Sequence, residues 1–151
     1  MDYLFVYGTL RSDMGHPMYG VLERYAQLVG VGTVGGQLFN LGHYPGLVLG
    51  ISQGTELLPD NGSKVWGEVY ALTSDTAPTL LAILDDYESY DAERIEQSEY
   101  RRETIQVQLM NDANVTEVNQ RSVAAWVYVY NRDIEAYQVI PSGNYADVVS
   151  R

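Results

Sequence analysis

Tyr3-Leu4-Phe5-Val6-Tyr7-Gly8-Thr9-Leu10-Arg11 decides the reading of this chain. Five apolar or aromatic residues run up to a glycine, the pattern of a strand with a turn at its end. Alternation puts Leu4 and Val6 on one face and Tyr3, Phe5 and Tyr7 on the other. Both faces are apolar, as expected of an interior strand covered on two sides. After Gly8 the backbone turns, with a hydroxyl (Thr9) and a guanidinium (Arg11) close by. Successive amide N–H groups at such a turn can form a concave nest for an anion or a developing oxyanion. An ordinary strand-to-loop turn accounts for the same residues. Neither glycine pattern of a nucleotide-phosphate loop is present.

Outward from this strand, the chain reads as one unit over residues 1–151, without internal repeats or low-complexity linkers. A chain of this length buries about two-thirds of its unfolded surface, enough for one core. It has no cysteine, which excludes a disulfide scaffold, a thiolate zinc site and a cysteine nucleophile. Twenty acids face nine bases, for a formal net charge of −11. That field repels phosphate backbones and anionic lipid, so neither nucleic acid nor membrane is an expected partner. No apolar run approaches the roughly 18 residues of a membrane span. Met1-Asp2-Tyr3 lacks the basic flank of a signal peptide, so the expected location is cytoplasmic. Thirteen tyrosines stand against two phenylalanines. Buried phenols need hydrogen-bond partners, which favours a polar interior cavity, although half-buried strands also use tyrosine.

Met18, Val21, Leu22 and Tyr25 recur at helical spacing and predict a short helix over 17–27. Residues 29–41 alternate and carry Gly30, Gly32, Gly35 and Gly36, a density that marks bulges or tight curvature. A turn at 42–46 precedes a strand over 47–51. Pro59-Asp60-Asn61-Gly62 is a turn signal, and a strand follows over 64–72. A helix over 75–87 is expected to be capped by Ser74 or Asp75, with Pro78 in its first turn and Ala77, Leu80, Leu81, Leu84 and Tyr87 in one stripe. Residues 89–100 read as irregular. A half-exposed strand spans 104–109, a polar hairpin loop 111–120, and a strand apolar on both faces 122–130. The tail 131–151 reads as irregular. Six or so strands, mostly in hairpin order, with two helices make this an α+β chain on a curled, mainly antiparallel sheet. A doubly wound α/β fold is the weaker alternative, because strands and helices do not alternate regularly.

Glu88 extends the apolar stripe of the second helix, four residues beyond Leu84. Aimed inward, its carboxyl is desolvated and its pKa rises toward neutrality, as a general acid/base requires. A frayed last turn with Glu88 in solvent fits the pattern equally. Asp85 and Asp86 fall on the outer face at this register. The run Asp85, Asp86, Glu88, Asp91, Glu93, Glu96, Glu99 and Glu103 lacks calcium-loop spacing and reads as a solvated acidic face. His16 and His43 are isolated, so a zinc site is not supported. Tyr100-Arg101-Arg102 either presents a phenol and a guanidinium to a cavity or salt-bridges to the acidic run.

In order along the chain, Tyr7-Gly8-Thr9-Leu10-Arg11, Gly42-His43-Tyr44-Pro45-Gly46-Leu47 and Gly67-Glu68-Val69-Tyr70 carry a resemblance. Leu84-Asp85-Asp86-Tyr87-Glu88, Tyr100-Arg101-Arg102, Ala125-Trp126-Val127-Tyr128 and Pro141-Ser142-Gly143-Asn144-Tyr145 complete it. The chain resembles the γ-glutamylcyclotransferase-like family over nearly its whole length. The resemblance implies a small mixed, mainly antiparallel β-barrel with flanking short helices. It implies a cyclotransferase that forms 5-oxoproline from a γ-glutamyl amino acid or γ-glutamylamine by intramolecular acyl transfer, with no cofactor and no metal. Its catalytic acid/base maps onto Glu88, and its substrate-binding loop onto Tyr7, Gly8, Thr9 and Leu10. Tyr100 and Tyr145 match tyrosines near the cavity. Many relatives carry glycine directly after the catalytic glutamate, where this chain has Ser89. A non-catalytic small-molecule binding module on the same fold is the alternative.

Overall fold

The structure, a computed structural model, describes residues 2–49, 64–110 and 121–149. The elements in chain order are β1 (Asp2–Val6), α1 (Met18–Tyr25), β2 (Gln27–Asn40), β3 (Pro45–Leu49) and β4 (Lys64–Leu72). They continue with α2 (Ala77–Tyr87), a 3-10 turn (Ile95–Gln97), β5 (Tyr100–Met110), β6 (Arg121–Tyr130), β7 (Gln138–Ile140) and the short α3 (Ala146–Val149). The expected turn at Pro59–Gly62, the far end of the strand expected over 47–51 and the hairpin loop at 111–120 lie outside the described residues.

β1 pairs antiparallel with β4 and parallel with β6, with Leu4 opposite Trp126. β6 pairs antiparallel with β5, β5 with β2, and β2 with β4. The circuit β2–β4–β1–β6–β5–β2 closes, giving a mixed five-stranded β-barrel with a few short helices. β3 and β7 pair with opposite edges of the last residues of β2. Closure needs curvature, and the glycine-rich strand supplies it. Its register with β4 shifts between Leu28 and Gly30. On β4, a Cβ at Gly67 would lie 2.3 Å from the Val6 carbonyl oxygen and 2.7 Å from the Phe5 ring. Only glycine lets β1 pass there.

The two faces of β1 go to two cores, as its alternation requires. Phe5 and Tyr7 point into the barrel with Val69, Val107, Val127 and Val129. Leu4 and Val6 point outward and are covered by Leu22 of α1 and Leu80, Leu81 and Leu84 of α2. β6 divides in the same way: Ala125, Val127 and Val129 face inward, Tyr128 and Tyr130 outward. Each buried side chain of this size contributes about 1.5–3 kcal/mol, so both cores are needed to hold the sheet closed.

Three local expectations are corrected. Thr76, not Ser74 or Asp75, stands at the N-terminus of α2, and it makes no side-chain cap. The Thr73 carbonyl accepts from the Ala77 amide (2.9 Å) instead. β5 begins at Tyr100, because Glu99 and Asn131 already tie the chain there to β6: the Asn131 amide donates to the Glu99 carbonyl (2.8 Å). The tail is not wholly irregular. β7 adds to β2, and the Trp66 amide donates to the Gly143 carbonyl (2.8 Å), which seats Tyr145 in the barrel core.

Candidate active site

Four segments converge where β1 ends: the loop Tyr7–Leu10, the turn entering β3, the C-terminus of α2 and the start of β5. Between them lies a cavity of about 170 Å³ lined by Phe5, Val6, Tyr7, Gly8, Thr9, Leu10, Tyr44, Pro45, Tyr87, Glu88, Glu99, Tyr100 and Tyr128. The structure thus brings Tyr7, Gly8, Thr9, Leu10, Glu88 and Tyr100 together. Tyr145 is not among the lining residues; its hydroxyl donates to the His43 carbonyl (3.4 Å) from within the barrel core.

The loop is held from three sides. The Tyr7 hydroxyl donates to the Tyr128 carbonyl (2.6 Å) and accepts from the Leu47 amide (3.1 Å). Burial pushes its pKa up, so it remains a neutral phenol. Gly8 packs so closely on Pro45 that a Cβ would lie 2.7 Å from the proline ring. The Arg11 amide closes the turn onto the Gly8 carbonyl (3.0 Å). Glu68 of β4 then takes both donors of Ser12, the amide at 2.7 Å and the hydroxyl at 2.5 Å. Among the described residues, no acceptor meets the amides of Thr9 and Leu10. They remain available at the cavity wall as donors to an anion. Arg11 takes no part: its guanidinium is turned onto Asp13 (2.9 Å) and Asn144 (2.8 Å).

Glu88 is the last residue of the helix turn. Its amide donates to the Leu84 carbonyl (2.8 Å). The next two amides, Ser89 and Tyr90, donate back to Asp86 (3.2 Å) and Asp85 (2.9 Å). That pair of bonds is a Schellman motif, and its reversing residue is Ser89 at φ 58°. Ser89 is exposed and lies outside the cavity lining, so the residue that stands where relatives carry glycine does not narrow the site. Glu88 points into the cavity, where burial, and secondarily the charge of Glu99, push its pKa up to about 8.

The remaining tyrosines are fixed through their hydroxyls. Tyr100 donates to the Pro45 carbonyl (2.8 Å) and Tyr128 to Asp85 (2.7 Å). Tyr87 lies 3.3 Å from the Thr9 hydroxyl and 3.1 Å from the His16 ring. Burial pushes both Tyr100 and Tyr128 upward, so they serve as shape and as neutral dipoles. The Tyr44 hydroxyl donates to Glu99 (2.6 Å), a bond that pushes its pKa up to about 12.

The acidic run is less uniform than a solvated face. Asp86, Asp91, Glu93 and Glu96 are exposed, but Glu99 lines the cavity. Asp85 is not on the outer face either. It follows Leu81 by four residues, which sets it at the edge of the apolar stripe, and it pairs with Arg102 (2.9 Å). Arg102 also lies over the Trp126 ring, 4.6 Å from its centroid, and Arg101 pairs with Glu103. Both arginines therefore bridge to the acidic run, while Tyr100 alone of that triplet reaches the cavity. Tyr87, at the end of the expected apolar stripe, lines the cavity, while Tyr44 and Glu99 are lining residues that periodicity did not mark. The sequence signals for these two are the motif turn that holds Tyr44 and the closeness of Glu99 to Tyr100. Among the described residues no group of acids and histidines could hold a metal ion, and no helix is long and apolar enough to cross a membrane.

The fold is shared with known proteins. The family model described as "Gamma-glutamyl cyclotransferase, AIG2-like" matches residues 4–147. The gamma-glutamylcyclotransferase family protein YtfP of Escherichia coli K12 is 33% identical over 145 residues, 95% of this chain and 96% of that protein. The solution structure of E. coli YtfP superposes with a TM-score of 0.57 at 32% identity, covering 97% of each chain. The crystal structure of an AIG2-like protein from Mus musculus gives a TM-score of 0.59 at 28% identity, covering 89% of this chain and 81% of that one. This chain belongs to the gamma-glutamyl cyclotransferase, AIG2-like family.

Proposed function

We propose that this protein is a γ-glutamyl cyclotransferase, converting a γ-glutamyl amino acid or γ-glutamylamine into 5-oxoproline and a free amine. The observation that carries the reading is Glu88: a carboxyl with a pKa near 8, inside a cavity whose wall is the Tyr7–Leu10 loop. A proton shuttle working near neutral pH needs such a group. Ionised Glu88 takes a proton from the substrate α-ammonium, and the freed amine nitrogen attacks the γ-carbonyl carbon. That forms the ring C–N bond. The bond to the departing nitrogen then breaks as Glu88 returns the proton to it, and the second proton of the attacking nitrogen passes by the same carboxylate to the freed amine, which leaves as an ammonium while the ring nitrogen keeps one hydrogen. No second reactant enters.

The chain's other residues orient and stabilise. The amides of Thr9 and Leu10 supply donors for the α-carboxylate or for the oxyanion that develops on the γ-carbonyl. The walls formed by Tyr7, Tyr100 and Tyr128 hold the flexible glutamyl chain folded toward ring closure. Since both reacting atoms belong to one molecule, this conformational restriction is a large part of the task. The test is 5-oxoproline release from a panel of γ-glutamyl amino acids and alkylamides by the purified protein. Release in the parent and its loss in Glu88→Gln support the enzyme. Tight binding of the same compounds without release in the parent would establish a binding module instead.

A further inference from the structure

His16 stands at the start of α1 and reaches the Tyr7–Leu10 loop through one intermediary. Its carbonyl accepts from the Tyr19 amide (2.9 Å), and its ring Nδ1 accepts from the Met18 amide (3.0 Å). The other ring nitrogen, Nε2, lies 3.1 Å from the Tyr87 hydroxyl, and the same hydroxyl lies 3.3 Å from the Thr9 Oγ1. The His16 and Tyr87 rings meet edge-on, with centroids 5.6 Å apart. Tyr87 and Thr9 line the cavity, whereas His16 does not. A chain of three side chains thus runs from the first turn of α1, across the last residue of α2, to the loop that follows β1.

One bond sets the direction of the whole chain. A backbone amide can only donate, so the Nδ1 that faces Met18 carries a lone pair and no proton. The neutral ring then has its proton on Nε2, and Nε2 donates to the Tyr87 oxygen. Having accepted there, Tyr87 directs its own hydrogen to Thr9. Desolvation pushes the Tyr87 pKa up, so the phenol keeps that hydrogen. The Thr9 oxygen accepts from Tyr87, which leaves the Thr9 hydrogen as a donor. Among the described residues the Thr9 hydroxyl has no other partner. With the proton on Nδ1 instead, every bond would reverse and the Thr9 hydrogen would go to Tyr87.

We propose that His16 is a positioning residue for the cyclisation: acting through Tyr87, it fixes the Thr9 hydroxyl as a third donor, beside the Thr9 and Leu10 amides, to the anionic group of the substrate. This rests on the cyclotransferase reading and adds a residue to it. An untethered threonine hydroxyl rotates, and presents a lone pair as readily as a hydrogen. The relay removes the wrong orientation before the substrate arrives, the preorganisation that makes a donor effective. The two nitrogens of the ring therefore serve two tasks. Nδ1 holds the start of α1, and Nε2 orders the loop.

Two variants separate these tasks. Asparagine places an acceptor where Nδ1 stands and reaches no further, whereas glutamine places an amide donor where Nε2 stands. His16→Asn should keep α1 but break the relay, and kcat/KM for γ-glutamyl n-pentylamide should fall about tenfold, as for a lost hydrogen bond to a charged group. His16→Gln should recover the rate to within about threefold of the parent. The reverse order, or equal rates in the two variants, overturns the proposal. Thr9→Val should lose about as much as His16→Asn, with no further loss when the two are combined, because one chain is broken either way. Additive losses overturn it. The chain has two histidines, and a two-bond proton–nitrogen correlation spectrum of the parent should show His16 with its proton on Nε2. A proton on Nδ1 overturns it. If the parent releases no 5-oxoproline from this amide, it is the cyclotransferase reading that fails. Calorimetric binding of the same amide then decides the relay by itself. Binding about tenfold weaker in His16→Asn and recovered in His16→Gln supports it; any other order, or no binding, overturns it.

Discussion

Ser89 directly follows Glu88 with a φ of 58°, and this left-handed turn fixes the point at which the Glu88 side chain leaves α2. A Cβ in that conformation meets the neighbouring carbonyl oxygen, a strain that glycine avoids. Ser89→Gly should therefore stabilise the protein by about 0.5–1 kcal/mol, the relief of strain being partly offset by the freer unfolded chain. Urea denaturation of the two proteins measures it. A less stable glycine variant would mean that the serine side chain contributes something the backbone bonds do not.

Glu88→Gln preserves shape and hydrogen-bonding capacity but cannot carry a proton. Turnover of a γ-glutamyl substrate should fall by about 10²–10⁴-fold, the usual worth of general acid–base catalysis. In the parent, kcat/KM should rise with pH along a limb near 8, because Glu88 must be ionised to accept the proton. The charge of Glu99 contributes to that high value, so Glu99→Gln should move the limb to lower pH. A pH–rate profile for a neutral γ-glutamyl alkylamide checks both statements.

The same group makes stability depend on pH. Folding lifts Glu88 from its ordinary value of 4.5 to about 8, so between these values the folded protein binds more protons than the unfolded chain. Its contribution to stability is therefore lost as pH rises through that window. Glu88→Gln removes the penalty. The variant should match the parent near pH 4 and exceed it by about 2–4 kcal/mol above pH 8. Thermal unfolding at the two pH values reads the difference.

Glu68 holds the loop without itself lining the cavity. Glu68→Ala releases both donors of Ser12 and removes the acceptor of the Tyr70 hydroxyl (2.9 Å). Charge-assisted bonds of this kind contribute about 1.5–3 kcal/mol each at most. The expected outcome is a KM raised about tenfold with a smaller change in kcat, since a loosened loop presents its amides less often. A variant with unchanged KM would show that the turn holds itself.

Asp85 and Asp86 are adjacent in sequence and should behave differently. Asp85→Asn weakens the ion pair with Arg102 and the bond from Tyr128, and should cost about 1–2 kcal/mol of stability. Asp86 is exposed, and Asp86→Asn should stay within about 0.5 kcal/mol of the parent. Chemical denaturation of the two variants side by side distinguishes them.

The barrel was legible wherever side-chain alternation reports burial. The two-faced apolar strands β1 and β6 stood out because each separates two cores, and the glycines of β2 announced its curvature. The extent of β5 and the existence of β7 were not legible. The first residues of β5 are mostly polar and pair through backbone groups, and β7 is three residues long, so neither leaves a periodic mark. At the site, Glu88 and the Tyr7–Leu10 loop were visible as the ends of regular elements, and the family resemblance joined them. Glu99 was hidden inside an acidic run, because nothing in composition separates a carboxylate facing solvent from one facing a cavity. Asp85 was misplaced for a related reason: an edge position on a helix is read as outside until its partner arginine, on another strand, is known.

A cavity lined by two carboxylates and by no lysine, arginine or histidine also bears on how a turnover ends. In the proposed cyclisation, the ammonium of the glutamyl group becomes a lactam nitrogen, which is neutral. A substrate whose glutamyl portion enters as a balanced zwitterion leaves as an anion, in a space where Glu88 and Glu99 oppose it and Arg11 is held away by Asp13. Ring closure thereby removes the charge that made the glutamyl end welcome. Expulsion of the product is built into the lining, and 5-oxoproline should inhibit this protein poorly even at concentrations well above those of the substrate.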